Sequence, residues 1–232
     1  MVCGRDRKDE MSEGVDWRMK VSICIPVYQM DDWQFFLNRN LVSILNQNFK
    51  DYEIVVSDDS KDDMIKDWLK DYPVKYFKNE GQKGNASNRN NAFNCGTGDL
   101  LKMLDEDDYF ASGNSLADIV KCFTSSFNWL ITGCIHNANG QIFNKHIPYY
   151  SSSENTIGSP SVLTIRKEVM ERFNNSFVWI LDLDLYRRLF KKYGLPKILP
   201  YVNVVIGIHK GQATNLIDDN KKNYEQQLIP FL

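Results

Sequence analysis

Alternation is the feature that most constrains this fold. Four short apolar runs, residues 21–28, 52–57, 74–77 and 100–104, are separated by segments of a different period. Trp33, Leu37, Leu41, Ile44 and Leu45 recur at helical spacing, as do Met64, Ile65, Trp68 and Leu69 before Pro73. Residues 86–95 read as a third helix, stopped by Gly96. Asp31 and Asp32 are placed to cap the first helix. Strands that alternate with helices, without an internal repeat, predict a mostly parallel central sheet with helices on both faces.

The pattern changes after residue 108. Leu116, Ile119, Val120 and Phe123 predict a helix, and residues 128–135 and 141–144 two strands around an Asn139-Gly140 turn. A polar loop (149–161), a strand (162–166), a helix (181–194) and a last strand (198–208) follow. No linker divides the halves. The expectation is a polar, disordered leader over 1–19 and one domain over 20–232. Its 20–108 half would bind nucleotide, and its smaller, mixed 109–232 half would bind an acceptor.

Composition excludes several classes. Hydrophobic residues make up 43% of the 232 residues and the net charge is −2, so neither a disordered chain nor a strongly basic nucleic-acid binder is indicated. No apolar run approaches the roughly 18 residues of a membrane span. Residues 1–20 lack the apolar stretch of a secretory signal. The five cysteines, Cys3, Cys24, Cys95, Cys122 and Cys134, show no C-x-x-C spacing. Reduced thiols, a cytoplasmic protein and no zinc site are expected.

Two of the apolar runs end in acids. Residues 52–57 lead into Asp58-Asp59, and 100–104 into Asp105-Glu106-Asp107-Asp108. An Asp-rich turn alone is as readily a surface loop. Two such turns, expected at neighbouring strand ends, point to one site, because open parallel sheets bind ligands outside the carboxyl ends of their strands. Clustered carboxylates repel unless a cation answers them, and hard oxygens select Mg²⁺ or Mn²⁺, ions that share phosphate oxygens with a substrate. Gly81 and Gly84 permit close backbone approach, and the next helix offers free N–H groups, with Arg89 one turn in. Neither a P-loop nor a G-x-G-x-x-G fingerprint is present.

The stretches "VSICIPVYQ", "EIVVSDDSKDD", "GNASNRNNAFNCGTGDLLKMLDEDDYF", "IGSPSVLTIRKEV", "LDLDLYRRL" and "HKGQATN", read together from Val21 to Asn215, resemble the family-2 inverting glycosyltransferases of GT-A (nucleotide-diphospho-sugar transferase) fold. The resemblance implies that Pro26 and Tyr28 border the nucleotide base and that Asp58 contacts uracil or ribose, with Asp59 close by. It places Arg89 near the nucleotide. Asp105 and Asp107 match the D-x-D motif, Asp107 as the metal ligand and Asp105 for ribose or a metal water. Gly158, Ser159 and Pro160 match an acceptor-side loop. Asp182 matches the catalytic base, and His209 a histidine near the diphosphate or metal. Mn²⁺ or Mg²⁺ is the implied cofactor. Leu181 stands where the family's Glu-Asp pair has Glu, which leaves Asp184 a rival for the base. On a helix the two aspartates point about 200° apart, and geometry alone does not choose between them.

The implied function is transfer of a sugar from a nucleoside-diphosphate donor, UDP-sugar favoured, to an acceptor hydroxyl. The acceptor is a cell-surface glycan or glycolipid intermediate, handled in the cytoplasm or peripherally at the inner membrane face. A hydroxymethylated DNA base is the alternative acceptor. A nucleotidyltransferase is disfavoured because "PVYQMDDWQ" after the first strand lacks Gly and Lys. A non-catalytic nucleotide-sugar-binding module is disfavoured because Asp107 and Asp182 are both retained. Trp179 reads as a core residue or a sugar platform. Arg187, Arg188, Lys191 and Lys192 read as a solvated helix end rather than a contact for anionic lipid or nucleic acid.

Overall fold

The computed structural model describes residues 19–123, 126–151 and 154–231. The predicted leader, apart from Met19, lies outside the described residues, as do Ser152 and Ser153 of the polar loop and Cys3. Strands β1 (Val21–Val27), β2 (Tyr52–Asp58), β3 (Lys75–Lys78) and β4 (Leu100–Met103) alternate with helices α1 (Trp33–Leu45), α2 (Met64–Leu69) and α3 (Asn85–Cys95). The second half adds β5 (Tyr109–Phe110), α4 (Ser115–Cys122), β6 (Trp129–Ala138), β7 (Gln141–His146), β8 (Leu163–Arg166), α5 (Leu181–Tyr193), β9 (Lys197–Gly207), α6 (Ala213–Leu216) and α7 (Asp219–Leu228).

All nine strands join one sheet in the order β3-β2-β1-β4-β8-β6-β9-β5, with β7 beside β6. The first four pair in parallel. β8 then runs antiparallel to both β4 and β6. The mostly parallel expectation therefore holds for the first half, and the second half is mixed. β1, β4 and most of β2 are buried, which is why they read as continuous β-branched runs rather than alternating ones. Lys102 looks like an interruption of β4, yet it is fully buried. The apolar face of α1 packs inward through Trp33, Leu37, Leu41 and Ile44.

Three expectations need correction. Asp31 and Asp32 do not cap α1. Asp32 takes a left-handed conformation (φ 61°) with no side-chain cap, and a backbone bond from Trp33 N–H to Met30 C=O starts the turn. The two acid-bearing strand ends are not adjacent. β2 and β4 flank β1, so the ends of β1 and its two neighbours form one rim. Cys24, Cys95 and Cys134 are free, but Cys122 is disulfide-bonded. Cysteine spacing along the chain does not reveal which thiols pair.

Candidate active site

Strand order reverses direction around β1, since β2 and β3 lie to one side and β4 to the other. A crevice at the carboxyl ends of β1 and β4 is the ligand position such a reversal creates. Its floor is a set of engaged carboxylates. Arg89, buried on α3, grips Asp105 with two bonds, Nε to Oδ1 at 3.0 Å and Nη2 to Oδ2 at 2.6 Å. A third guanidinium nitrogen, Nη1, donates to Asn85. Burial pulls the Arg89 pKa down, but the Asp105 charge and hydrogen bonds outweigh it and the net shift is upward. Asp105 is therefore a clamped member of the D-x-D pair.

The other three acids differ. Glu106 is buried and accepts the Tyr28 N–H at 3.0 Å, tying the end of β1 to the turn after β4. Burial raises its pKa well above the usual carboxylate range. Asp108 is buried too. It accepts the Gly207 N–H at 2.9 Å, and burial again drives its pKa up. A Cβ on Gly207 would meet the Asp107 carbonyl at 2.2 Å, so only glycine lets β9 lie this close to the acid turn. Lys102 reaches under the turn to the Ser161 carbonyl, and burial lowers its pKa to about 7.

Asp107 alone of the four faces a potential metal ligand, with Oδ2 3.0 Å from His209 Nε2. The imidazole lies against the Phe36 ring (centroids 4.3 Å apart), and Arg39 Nη2 donates to the Asp107 carbonyl at 2.6 Å. One carboxylate and one imidazole suit Mn²⁺. No three His, Cys, Asp or Glu side chains among the described residues converge to hold a metal by themselves. The pair fits an ion that completes its shell with water and phosphate oxygens.

Asp58 is fully buried, and its oxygens accept from Tyr76 Oη (2.7 Å), Lys78 Nζ (3.1 Å) and the Ser60 N–H (2.8 Å). Asp59 accepts from Asn79 Nδ2 and the Gly84 N–H, both at 2.8 Å, and so folds the Gly/Asn loop over the rim. Pro26 is buried in β1, whereas Tyr28 is 51% exposed at the crevice edge.

Across the crevice stands Asp182, in the first turn of α5 and half-buried. Its Oδ2 accepts from Asn155 Nδ2 at 2.8 Å and its Oδ1 from the Leu183 N–H at 2.8 Å. Burial raises its pKa from 3.8 to about 6, against the pull of that N–H, Arg89 and Asn155. It borders a cavity of about 320 Å³ with Asn155, Trp179, Thr214, Gln226 and Ile229. Asp184 is occupied elsewhere, since Arg188 Nε and Nη2 hold its Oδ2 at 3.0 and 2.6 Å. Between Asp182 and the acid turn run Gly158, Ser159 and Pro160. Gly158 takes φ +102°, Ser159 Oγ lies 3.5 Å from Asp108, Pro160 is buried, and Tyr186 Oη donates to the Gly158 carbonyl at 3.3 Å.

The structure thus brings Arg89, Asp105, Asp107, His209 and Asp182 to one crevice, with Tyr28 and Asp59 at its rim. Asp58 and Pro26 lie beneath it. Sequence reasoning missed Asn155, Glu106 and the contribution of residues 213–229. Glu106 and Asn155 carried no signal beyond membership of an acidic turn and a polar loop.

Residues 22–161 match the family model described as Glycosyl transferase family 2. Over 219 residues the chain is 26% identical to the GalNAc(5)-diNAcBac-PP-undecaprenol beta-1,3-glucosyltransferase of Campylobacter jejuni, covering 82% of this chain and 69% of that protein. Over 95 residues it is 35% identical to the UDP-Glc:alpha-D-GlcNAc-diphosphoundecaprenol beta-1,3-glucosyltransferase WfaP of Escherichia coli, covering 40% and 37%. Its fold matches residues 1–349 of S. aureus TarS in complex with UDP-GlcNAc at a TM-score of 0.71 and 19% identity, covering 92% of this chain and 66% of that one. The mannosyltransferase PcManGT of Pyrobaculum calidifontis, in complex with GDP-Man and Mn²⁺, matches at 0.61 and 17%, covering 84% and 59%. The chain spans about two thirds of the C. jejuni protein and of residues 1–349 of TarS, and less of the other two.

Proposed function

The chain belongs to glycosyl transferase family 2 and has the GT-A fold, and on that premise we propose that it transfers a sugar from a UDP-sugar to an acceptor hydroxyl with inversion at the anomeric carbon. One observation carries the reading. Asp182 is a half-buried carboxylate with a pKa raised to about 6 and borders a cavity, while Asp184 is consumed by Arg188. A general base near the working pH is what proton removal from a hydroxyl requires. The pairing of Asp184 favours Asp182 in that role.

The donor diphosphate sits at the ends of β1 and β4. Asp107 and His209 would hold a divalent ion there, Mn²⁺ or Mg²⁺, and Arg89 keeps Asp105 fixed beside them. When bound, the ion supplies Lewis-acid stabilisation of the leaving diphosphate. The acceptor hydroxyl enters the cavity beside Trp179 and gives its proton to Asp182. Its oxygen bonds to the anomeric carbon as the bond to the diphosphate breaks, and the electron pair leaves with UDP. A single in-line displacement needs no covalent nucleophile and inverts the configuration.

The two undecaprenol-linked relatives support a lipid-linked glycan intermediate as the acceptor, met peripherally at the inner membrane face. No helix among the described residues is long and apolar enough to cross a membrane. A modified DNA base is the weaker reading, since the net charge of −2 offers no general attraction to phosphate. The test is incubation of the protein with UDP-glucose, Mn²⁺ and a synthetic N-acetylhexosaminyl diphospholipid. A β-linked product by NMR supports the proposal, and an α-linked product would contradict inversion.

A further inference from the structure

Helix α7 presents an anomaly. Its sequence, DNKKNYEQQL, is polar apart from Tyr224 and Leu228, and its only buried residue is Glu225, at 0% exposure. A helix without an apolar face has no hydrophobic reason to dock. A buried carboxylate is costly unless it is hydrogen-bonded. Glu225 is bonded very specifically. Its Oε2 accepts the N–H groups of three consecutive residues, Val178 (3.2 Å), Trp179 (2.8 Å) and Ile180 (3.0 Å), and its Oε1 also accepts from Val178 at 3.0 Å. Lys221, one turn earlier, contacts Oε1 at 3.2 Å.

Those three amides immediately precede α5. Ile180 is the N-cap of that helix, and its side chain makes no capping hydrogen bond. Asp182 follows two residues later. Successive N–H groups form a nest for an anion, and the helix dipole favours negative charge at the same point. Leu181 leaves the start of α5 without a carboxylate of its own at that position. Glu225 delivers one from 44 residues further along the sequence, with Val178–Ile180 as its seat. The same docking brings Gln226 and Ile229 to the wall of the cavity that Asp182 borders.

We propose that Glu225 is a positioning residue for the transfer reaction. Its carboxylate pins Val178–Ile180, fixes the start of α5 and so sets the direction of Asp182, and it closes the acceptor cavity by docking α7. The inference rests on the assignment of Asp182 as the base. Burial opposes ionisation of Glu225, but the three N–H groups and Lys221 outweigh it and hold its pKa below the ordinary value, so the pin is charged at neutral pH. A displacement of about 1 Å at a reacting group costs on the order of 10²-fold in rate.

The test compares wild type, Glu225→Gln, Glu225→Ala and Asp182→Asn in the same chain. The first readout needs no substrate. Hydrogen exchange at residues 178–183 is expected to quicken at least about tenfold in Glu225→Ala and less in Glu225→Gln, with β1, β4 and UDP affinity unchanged. Unchanged protection at 178–183 overturns the proposal, and so does a loss spread over β1 and β4, which would be a general folding role. The second readout is UDP release from UDP-glucose with Mn²⁺ and the diphospholipid acceptor. A kcat lowered roughly tenfold or more in Glu225→Ala at unchanged donor KM is expected. Wild-type rate in Asp182→Asn would sink the assignment of the base and leave the exchange result standing. Loss in Asp182→Asn with wild-type rate in Glu225→Ala would sink the positioning role alone. If Glu225→Ala fails to fold, the milder Glu225→Gln carries both readouts.

Discussion

Two sets of carboxylates in this protein handle charge in opposite ways. At the ends of β2 and β4, Asp58, Asp59 and Asp105 are each paired with a cation or held by backbone and side-chain donors. At the start of α5, Asp182 has no cation in direct contact among the described ion pairs and sits at a pKa raised to about 6. The first arrangement fixes the rim and the second leaves a carboxylate that takes up a proton near pH 6. Removing the cation from a paired carboxylate should therefore cost stability, and removing the charge of Asp182 should add to it.

The largest effect expected is on rate. Asp182→Asn should lower kcat by about 10²–10⁴-fold, the usual contribution of a general base, while leaving UDP affinity intact. The same change should also raise Tm at pH 8. The folded-state pKa of about 6 lies above the ordinary 3.8, so the penalty for ionised Asp182 is full above pH 6 and vanishes below 3.8. The gain should shrink as the pH falls toward 4, and a lower Tm at pH 8 would contradict the contrast between Asp182 and the paired carboxylates. Arg89→Ala is the opposite case. It strands Asp105 in a largely buried position, and breaking such a pair costs about 3–5 kcal/mol, readable in urea denaturation. The pH profile is a finer probe. If Asp182 accepts the proton, wild-type kcat declines as the pH drops through about 6, and a profile flat from pH 5 to 8 excludes it. The smallest effect is expected from Asp184→Asn. Its Arg188 partner is 36% exposed, so the loss should be about 1 kcal/mol or less, with kcat near wild type. A large kcat loss there would move the base to Asp184.

Legibility in the sequence divides between the two halves of the chain. The first half was legible because β1, β2 and β4 are buried runs, two of which, β2 and β4, lead into acids, and local pattern is enough to find such strands. The paired aspartates after them were readable for the same reason. The second half is built from contacts that span the chain. β5 is two residues long and exists only as a partner of β9. α7 has no apolar period to detect, because a single carboxylate docks it. Asn155 turns a polar loop into a support for Asp182 through bonds to Ile157, Gly158 and Asp182, and nothing in its neighbours' identities points there. The choice between Asp182 and Asp184 depended on Arg188, whose pairing only the fold displays.

The most direct test of the account is calorimetric titration of UDP into wild type, Asp107→Ala and Asp182→Asn, each with and without Mn²⁺. The account predicts Mn²⁺-dependent binding to wild type and Asp182→Asn and its loss in Asp107→Ala. Equal binding by all three proteins in the absence of metal, or none by wild type under either condition, would contradict a donor site at the ends of β1 and β4.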